Sequence, residues 1–316
     1  MNRLPNYLRL SITDRCNLRC KYCIGTFVYL KREEILTLEE LYRTSYLFSR
    51  CGIDKLRITG GEPLVRKGAT ELINKITESE LFNDISLTTN GMLLEEKADE
   101  LFKAGIRRLN ISLATLDNEE YYGLTGGDLN KVLRGINLAK TTGFESIKIN
   151  VVLWKGLQEN EINNWIEFSQ KNNLTVRFIE QMPIESGMFI QEQWPRTTAG
   201  NVLEIIRNKY IIEKIDIKGA GPASYYKLRE KKVVFGIINS MDHNQCLTCN
   251  RIRVSAKGEL RYCLFQDDCV DLKYILRNEK DDEKLIEMLK KIVSNKVSYK
   301  NNNPRILSQP MSYIGG

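Results

Sequence analysis

The sequence is poor in the features that several common protein classes need. It contains one histidine, His243, in 316 residues, so a Ser-His-Asp triad or a site built from several histidines is not readily available. The sequence contains no run of eighteen apolar residues that could cross a bilayer. The segment Met1–Pro5 lacks the apolar stretch of a secretion signal. We therefore predict a cytoplasmic protein without a membrane partner.

The charge balance excludes little. Lysine and arginine (47) outnumber aspartate and glutamate (40), which gives a net charge of +7. This excess is compatible with an anionic small-molecule substrate, with weak nucleic-acid contact, or with a lysine-rich solvated surface. A non-enzymatic, metal-stabilised nucleic-acid binder is one alternative. No basic face with interleaved aromatic residues is evident, however, and we predict no nucleic-acid partner.

Cysteine is the residue type that the sequence concentrates. In a reducing cytoplasm the eight cysteines are not expected to form disulfides, and clustered cysteines there are typical of metal ligands or catalytic groups. Six of them form two groups, one near each end of the chain. The other two, Cys51 and Cys269, lie in helical or apolar surroundings that predict buried structural thiols.

Hydrophobic periodicity predicts alternating strands and helices in the first part of the chain. The predicted strands are Leu8–Thr13, Lys55–Thr59, Ile85–Thr88, Arg108–Ser112, Ile147–Val152 and Val176–Ile179. The predicted helices are Thr37–Arg50, Ala69–Ser79, Leu93–Ala104, Leu129–Thr142 and Glu161–Asn172. Gly52, Gly105 and Gly143 stand near helix ends, where glycine commonly terminates a helix.

This alternation predicts an α/β fold with a parallel sheet of right-handed βα units. Because a closed barrel of this kind needs eight units, we predict a partial (βα)6 TIM-like barrel over residues 1–182. The alternation stops after Met182, so residues 183–316 are predicted to form a C-terminal extension that carries the second cysteine group. Within it we expect a turn at 219–222, a strand at Val233–Ile238 and a final helix at Lys284–Val293.

The first cysteine group, Cys16-x3-Cys20-x2-Cys23, follows the first predicted strand. Parallel α/β barrels place their chemistry at the carboxyl ends of strands. Three thiolates can hold three irons of a 4Fe–4S cluster and leave the fourth iron open to another ligand. A structural zinc site or incidental thiols are the alternatives, but zinc normally takes four protein ligands.

The second group, Cys246-x2-Cys249-x13-Cys263, again offers three thiolates. Between its members lie Arg251 and Arg253, whose guanidiniums would share one face of an extended strand and suit phosphate or purine recognition. A zinc ribbon completed by Cys269 or His243 is the alternative.

The first group, with the aromatic Tyr22 before its last cysteine, resembles the radical S-adenosylmethionine (SAM) superfamily. Gly60-Gly61-Glu62-Pro63 after the second predicted strand is similar to that superfamily's motif for the SAM amino group. The resemblance implies that the open iron of the first cluster binds SAM. An electron from the cluster then cleaves SAM to a 5′-deoxyadenosyl radical, and the protein orients and shields the reacting groups.

Over nearly its whole length the chain resembles the GTP 3′,8-cyclases of molybdenum cofactor biosynthesis. The matching segments are 8–16, 57–64, 177–180 with Met182, 219–223, 249–253, 261–265 and the terminal Tyr313-Ile314-Gly315-Gly316. The implied reaction is hydrogen removal from the ribose C3′ of GTP and attack of that carbon on C8 of guanine. Its product is (8S)-3′,8-cyclo-7,8-dihydroguanosine 5′-triphosphate. The open iron of the second cluster would bind the guanine.

The resemblance also implies the site residues, which are carried over by position. The GTP contacts are Arg9, Arg57, Thr88, Lys148, Arg177, Arg251 and Arg253. The SAM contacts are Tyr22, Gly61, Ser112 and Met182. The ligands of two 4Fe–4S clusters are Cys16, Cys20 and Cys23, and Cys246, Cys249 and Cys263. No side chain is implied as a catalytic acid or base. The resemblance further implies an electron donor such as flavodoxin or ferredoxin. It also implies a homodimer.

Two positions depart from the family pattern. Ala114 stands where an aspartate is usual, and the loop after Cys23 is shorter than usual. Neither change affects a cluster ligand, so we expect them to influence which substrate is bound more than the radical chemistry. A paralogous two-cluster radical SAM enzyme acting on another nucleotide or on a peptide is therefore the alternative function.

Overall fold

A computed structural model describes residues 4–23, 29–155, 157–182, 197–217, 221–239, 249–265, 268–298 and 311–314. The strands are β1 Tyr7–Ser11, β2 Lys55–Thr59, β3 Asp84–Thr89, β4 Arg108–Ser112, β5 Ser146–Leu153, β6 Thr175–Glu180, β7 Ile212–Ile215, β8 Ser224–Leu228, β9 Val234–Ile238, β10 Arg251–Val254, β11 Glu259–Arg261 and β12 Val270–Asp271. The helices are α1 Leu38–Arg50, α2 Ala69–Glu78, α3 Leu94–Lys103, α4 Asn118–Thr125, α5 Leu129–Thr142, α6 Glu159–Asn172, α7 Ala199–Lys209, α8 Leu272–Asn278, α9 Asp282–Ser298 and α10 Met311–Ile314.

All these strands form one sheet in the order β12-β11-β10-β1-β2-β3-β4-β5-β6-β9-β8-β7. The strands from β10 to β9 in this order are parallel, and antiparallel strands flank them on both sides. The predicted α/β class and partial barrel of six βα units are therefore confirmed. The C-terminal half adds a parallel strand to each side of those six units. The proposed division of the chain at residue 182 stays a prediction.

The inner strands alternate between an apolar and a polar face. On β1 and β2, Leu8, Leu10, Leu56 and Ile58 are fully buried in the hydrophobic core that the helices cover. Successive side chains of a strand point to opposite faces, so their polar neighbours face the other side of the sheet. The inner face of the partial barrel is therefore polar and does not form a second hydrophobic core. This face is available to bind a ligand.

The helix ends follow local sequence signals. Thr37 caps α1 by accepting a hydrogen bond from the backbone N–H of Glu40. Gly52, Gly105 and Gly143 adopt φ values of 85°, 94° and 102°, which confirms the predicted left-handed positions after three helices. Helix α10 follows α9 in the chain, so the prediction that Lys284–Val293 is the final helix was wrong.

None of the described helices combines the length and the apolar character that a membrane crossing requires.

Candidate active site

A cavity of about 330 Å³ lies on the polar face of the sheet and at the carboxyl ends of its strands. It brings together most of the predicted site residues. Those that line it are Arg9, Cys16, Cys20, Tyr22, Cys23, Arg57, Gly61, Thr88, Ser112, Arg177, Met182, Cys249, Arg251, Arg253 and Cys263. Lys148 lines a smaller adjoining cavity instead. Cys246 and the loop at 24–28 lie outside the described residues.

The first cysteine group lies in the loop that follows β1. The Cys16 sulfur accepts hydrogen bonds from the Leu18 backbone N–H at 3.4 Å and from the Asn90 amide at 3.6 Å. Tyr22 lines the same cavity as these cysteines. Burial, and then the neighbouring Cys23 and Cys16, raise the pKa of the Cys20 thiol. Three thiolates therefore cannot coexist here without a positive partner, and bound iron supplies that charge.

These thiols do not form a site for a single metal ion. In the described part of the chain, no three histidine, cysteine, aspartate or glutamate side chains converge on one ion position. An iron–sulfur cube makes a different demand, because each thiolate binds its own iron. Three thiols spread along one cavity wall, with N–H donors directed at a sulfur, fit that demand.

The glycines after β2 are required by close packing. The Gly61 backbone N–H donates to the Thr13 carbonyl at 2.7 Å, and the next N–H, of Glu62, donates to the Arg15 carbonyl at 2.8 Å. A Cβ on Gly61 would lie 2.4 Å from the Arg15 carbonyl oxygen. Gly61 thus holds the chain that leads into Cys16, which the sequence motif alone did not indicate. Its contact with SAM stays a prediction.

Glu62 in the same motif is completely buried. Its carboxylate accepts hydrogen bonds from the backbone N–H of Asn90 at 2.6 Å, the Thr89 hydroxyl at 2.9 Å and the Leu64 N–H at 3.1 Å. Burial raises the pKa of this carboxyl to about 7, although these three donors oppose the shift. Glu62 therefore ties the loop after β2 to the loop after β3. Sequence reasoning missed this role, for which the polar Thr89-Asn90 pair at the end of β3 was the available signal.

Replacing Gly61 by alanine should lower the free energy of unfolding by roughly 3 kcal/mol, because the new methyl group meets backbone atoms that cannot rotate away. Gly123 within α4 is the matched control, since a Cβ at that position would meet no described atom within 4 Å beyond its own helix. Gly123→Ala should gain about 0.5–1 kcal/mol by favouring the helix. Urea unfolding of both variants measures the difference. Equal stabilities would contradict the packing argument.

Three arginines lie in register across three neighbouring strands. Arg253 on β10 pairs with Arg9 on β1, which pairs with Arg57 on β2. Burial, followed by the charges of Arg253 and Arg57, holds the pKa of Arg9 well below its usual range. Burial also lowers the pKa of Arg253 to about 10. The sheet therefore places three positive charges side by side, where they repel each other.

Arg177 and Lys148 extend this positive surface along β6 and β5. Arg177 is 3% exposed, and its Nη2 donates to the side-chain oxygens of Asn110 at 2.6 Å and Asn150 at 2.5 Å. Burial lowers the pKa of Arg177 to about 10 and also lowers that of Lys148. The sequence marked Asn110 only as a polar residue near the end of the fourth strand, and it did not single out Asn150 on the neighbouring strand β5.

Within the described part of the chain, four of these positive side chains have no carboxylate partner. Of the residues that the structure describes, no carboxylate forms an ion pair with Arg9, Arg57, Lys148 or Arg177. Buried charges are normally paired, so this arrangement favours an anionic ligand that supplies several negative oxygens. A phosphate chain has that chemistry.

The second cysteine group lines the same cavity through Cys249 and Cys263. Arg251 and Arg253 lie on the same face of β10, as the alternating pattern predicts. Burial alone would raise the pKa of Cys249, but Arg251 and Lys296 lower it to about 7. A thiol of this kind is readily deprotonated, which iron ligation requires.

The C-terminal helix α10 lies beside the cavity. Ile314 is buried against Met182, Leu264 and Phe265, and Met311 lines the cavity. The terminal Gly315-Gly316 lies outside the described residues. The described part of the terminal segment, which matches the family pattern, therefore lies beside the cavity.

The remaining positions of interest have different environments. Ala114 is buried with Leu124 and Trp154 in an apolar cluster that packs against Tyr22. Cys51 is half-buried, and its sulfur lies 3.7 Å from the Ile286 carbonyl. Cys269 is exposed, so the prediction that it is a buried thiol was wrong. It immediately precedes β12, the strand at one edge of the sheet, where little chain is available to cover it.

Two family profiles match consecutive parts of the chain. The profile described as Radical SAM superfamily matches residues 10–169. The profile described as Molybdenum Cofactor Synthesis C matches residues 174–302. The first contains the first cysteine group and strands β2 to β5, and the second contains the second cysteine group.

Solved structures with a similar fold have little sequence in common with the chain. Streptococcus suis SuiB bound to S-adenosylmethionine has a TM-score of 0.66 and 14% identity, and the match covers 90% of this chain and 68% of SuiB. Methylornithine synthase has a TM-score of 0.53 and 16% identity, with 93% and 83% covered. At such identities the likeness shows the fold alone.

Curated relatives match from end to end. The GTP 3′,8-cyclase of Thermodesulfovibrio yellowstonii is 39% identical over 320 residues, which cover 100% of this chain and 98% of the relative. The GTP 3′,8-cyclase of Peptoclostridium acidaminophilum is 40% identical over 317 residues, with 99% and 96% covered. This similarity, together with a cavity that joins the two cysteine groups through a row of arginines, leads to one conclusion. The chain belongs to the GTP 3′,8-cyclase family of radical SAM enzymes.

Proposed function

We propose that the chain converts GTP to (8S)-3′,8-cyclo-7,8-dihydroguanosine 5′-triphosphate, the first step of molybdenum cofactor biosynthesis, with SAM and two 4Fe–4S clusters as cofactors. The names of its relatives support the reaction. The observation that carries the proposal is the cavity itself. Cysteine thiols line it in two groups, together with buried cations, among them Arg9 and Arg177, that have no carboxylate partner within the described residues.

Cys16, Cys20 and Cys23 would hold the first cluster, and Cys249 and Cys263 would hold the second together with Cys246. SAM would lie against the first group, in contact with Tyr22, Gly61, Ser112 and Met182, all of which line the cavity. When bound, the first cluster and SAM would supply the radical chemistry that removes hydrogen from C3′ of the ribose.

The protein's own contribution is to bind and orient GTP. Arg9, Arg57, Arg177 and Lys148 would neutralise the triphosphate, and Arg251 and Arg253 would direct the nucleotide toward the second cysteine group. Thr88 has a buried hydroxyl without a hydrogen-bond partner among the described atoms, and a nucleotide in the cavity would satisfy it. Fixing the C3′–H bond relative to the radical and excluding water account for the selectivity that such chemistry needs.

Anaerobic reconstitution with iron and sulfide, followed by incubation with SAM, a reductant and GTP, tests the proposal. We expect 5′-deoxyadenosine and a new isomer of GTP by mass spectrometry, and deuterium placed at C3′ should appear in the 5′-deoxyadenosine. If SAM is cleaved but GTP is unchanged, the chain is a paralogous radical SAM enzyme that acts on another substrate. If both clusters are loaded and SAM is not cleaved, the enzymatic proposal is wrong.

We further propose that reduced flavodoxin or ferredoxin is the electron donor. Arg15, Arg19 and Lys21 are exposed beside the first cysteine group, and their charges would attract an acidic electron carrier. A homodimer and a cytoplasmic location complete the proposal. Light scattering of the reconstituted protein tests the dimer, which the resemblance to the family supports.

A further inference from the structure

Tyr225 on β8 lies directly against the predicted phosphate-binding residues. It pairs across the sheet with Gly236 on β9, which in turn pairs with Arg177 on β6. A Cβ on Gly236 would lie 2.9 Å from Cγ of Arg177 and 3.1 Å from Cε1 of Tyr225. The glycine therefore leaves space in which the tyrosine ring and the arginine side chain pack together.

The Tyr225 hydroxyl lies beside two cations. Lys148 Nζ donates a hydrogen bond to it at 3.1 Å, and the Arg177 side chain lines the same small cavity. The Lys148 ammonium also lies 5.1 Å from the centre of the Tyr225 ring. An ammonium group can only donate hydrogen bonds, whereas a phenol oxygen accepts hydrogen bonds and donates one. The Tyr225 oxygen therefore acts as the acceptor toward Lys148, and its own O–H is left to donate to a further acceptor.

A second cavity, of about 40 Å³, is the place where that acceptor can lie. Tyr225, Lys148, Arg177 and Arg57 line it, and it shares Arg57 and Arg177 with the main cavity. The carboxylate of Asp84 also lines it but is paired with Arg108 at 2.7 Å. The cavity is too small for a purine or a ribose, so it suits the end of a ligand whose larger part occupies the main cavity.

We propose that Tyr225 is a further substrate-binding residue. Its hydroxyl donates a hydrogen bond to an oxygen of the terminal phosphates, and its side chain positions Lys148 and Arg177 around them. The inference rests on the proposed function, because it takes GTP as the ligand. It adds that this site selects a triphosphate ligand over a monophosphate ligand. A ligand with one phosphate would reach the main cavity but not the smaller one.

Tyr225→Phe tests this role, and Tyr226→Phe is its matched control. The Tyr226 ring belongs to the opposite face of β8 and stacks on Phe235, with ring centres 5.5 Å apart. Binding of GTP, GMP and inorganic tripolyphosphate to the anaerobically reconstituted protein is measured by calorimetry. We expect Tyr225→Phe to weaken GTP and tripolyphosphate binding about tenfold and to leave GMP binding unchanged. Tyr226→Phe should match the wild type for all three ligands.

Two results would overturn the inference. One is unchanged GTP and tripolyphosphate binding by Tyr225→Phe. The other is an equal weakening of GTP and GMP, together with a lower melting temperature, which would make Tyr225 a purely structural residue. Tripolyphosphate separates this inference from the proposed reaction. If the wild type binds tripolyphosphate through Tyr225 but does not convert GTP, the phosphate site stands and the proposed substrate is wrong.

Discussion

Replacing Cys16 by alanine should reduce SAM cleavage more than about a hundredfold and remove roughly half of the iron that the reconstituted protein binds. The thiol lies between two N–H donors, from Leu18 and Asn90, so none of the other described side chains is placed to replace it. A cluster held by only Cys20 and Cys23 would lose one of its three protein anchors. Iron analysis, electron paramagnetic resonance and the yield of 5′-deoxyadenosine measure the loss.

Cys269→Ala is the control for this prediction, because Cys269 is an exposed thiol at the edge of the sheet. It should retain the iron content and the activity of the wild type. The second cluster should also survive in Cys16→Ala, since Cys249 precedes β10 and Cys263 follows β11, whereas Cys16 lies in the loop after β1. Full iron content and normal SAM cleavage in Cys16→Ala would contradict the assignment of the first cluster.

Replacing Arg9 by methionine should produce two effects of opposite sign. Arg9 lies between Arg253 and Arg57 in register, and its buried Nε has no hydrogen-bond partner among the described atoms. Removing the central charge of this row relieves repulsion, so the free energy of unfolding without GTP should rise by about 1 kcal/mol. The same change removes a cation from the triphosphate site, and the affinity for GTP should fall about a hundredfold.

Urea unfolding and calorimetry of the same Arg9→Met preparation measure the two effects. Arg134→Met is the matched control, because Arg134 is largely exposed and its ion pair with Glu95 lies on the surface. It should leave both the stability and GTP binding close to those of the wild type, because exposed ion pairs contribute little. A loss of stability in Arg9→Met, with GTP binding unchanged, would show that the arginine row is structural.

Stability and function therefore conflict at this site. A sheet that places arginines side by side on three strands is less stable without its ligand than one with neutral residues there. Binding of a triphosphate at this row, as proposed, would reverse the sign of that contribution and stabilise the folded protein. GTP should consequently raise the melting temperature of the wild type more than that of Arg9→Met.

The sequence alone determined the features that depend on neighbouring residues. The strands β1 to β6 and the helices α1, α2, α3, α5 and α6 follow from hydrophobic periodicity, because each of these elements is specified by its own apolar face. Helix α4 was not predicted. The cysteine spacings and the Gly60-Gly61-Glu62-Pro63 motif are also local. They were sufficient to predict the α/β class and the two cysteine groups. The family resemblance that these motifs carry supplied the other predicted site residues, and most of the predicted site residues line the cavity.

The tertiary structure decided what depends on distant parts of the chain. Strand β10 joins the sheet beside β1, and only this pairing places Arg253 next to Arg9. Similarly, Glu62 meets Thr89 and Asn90, and Tyr225 meets Lys148, through contacts between separate strands or loops. Periodicity shows which face a side chain occupies but not which strand lies beside it. Pairing is decided by the packing of the whole sheet, and the charge of the site results from that pairing.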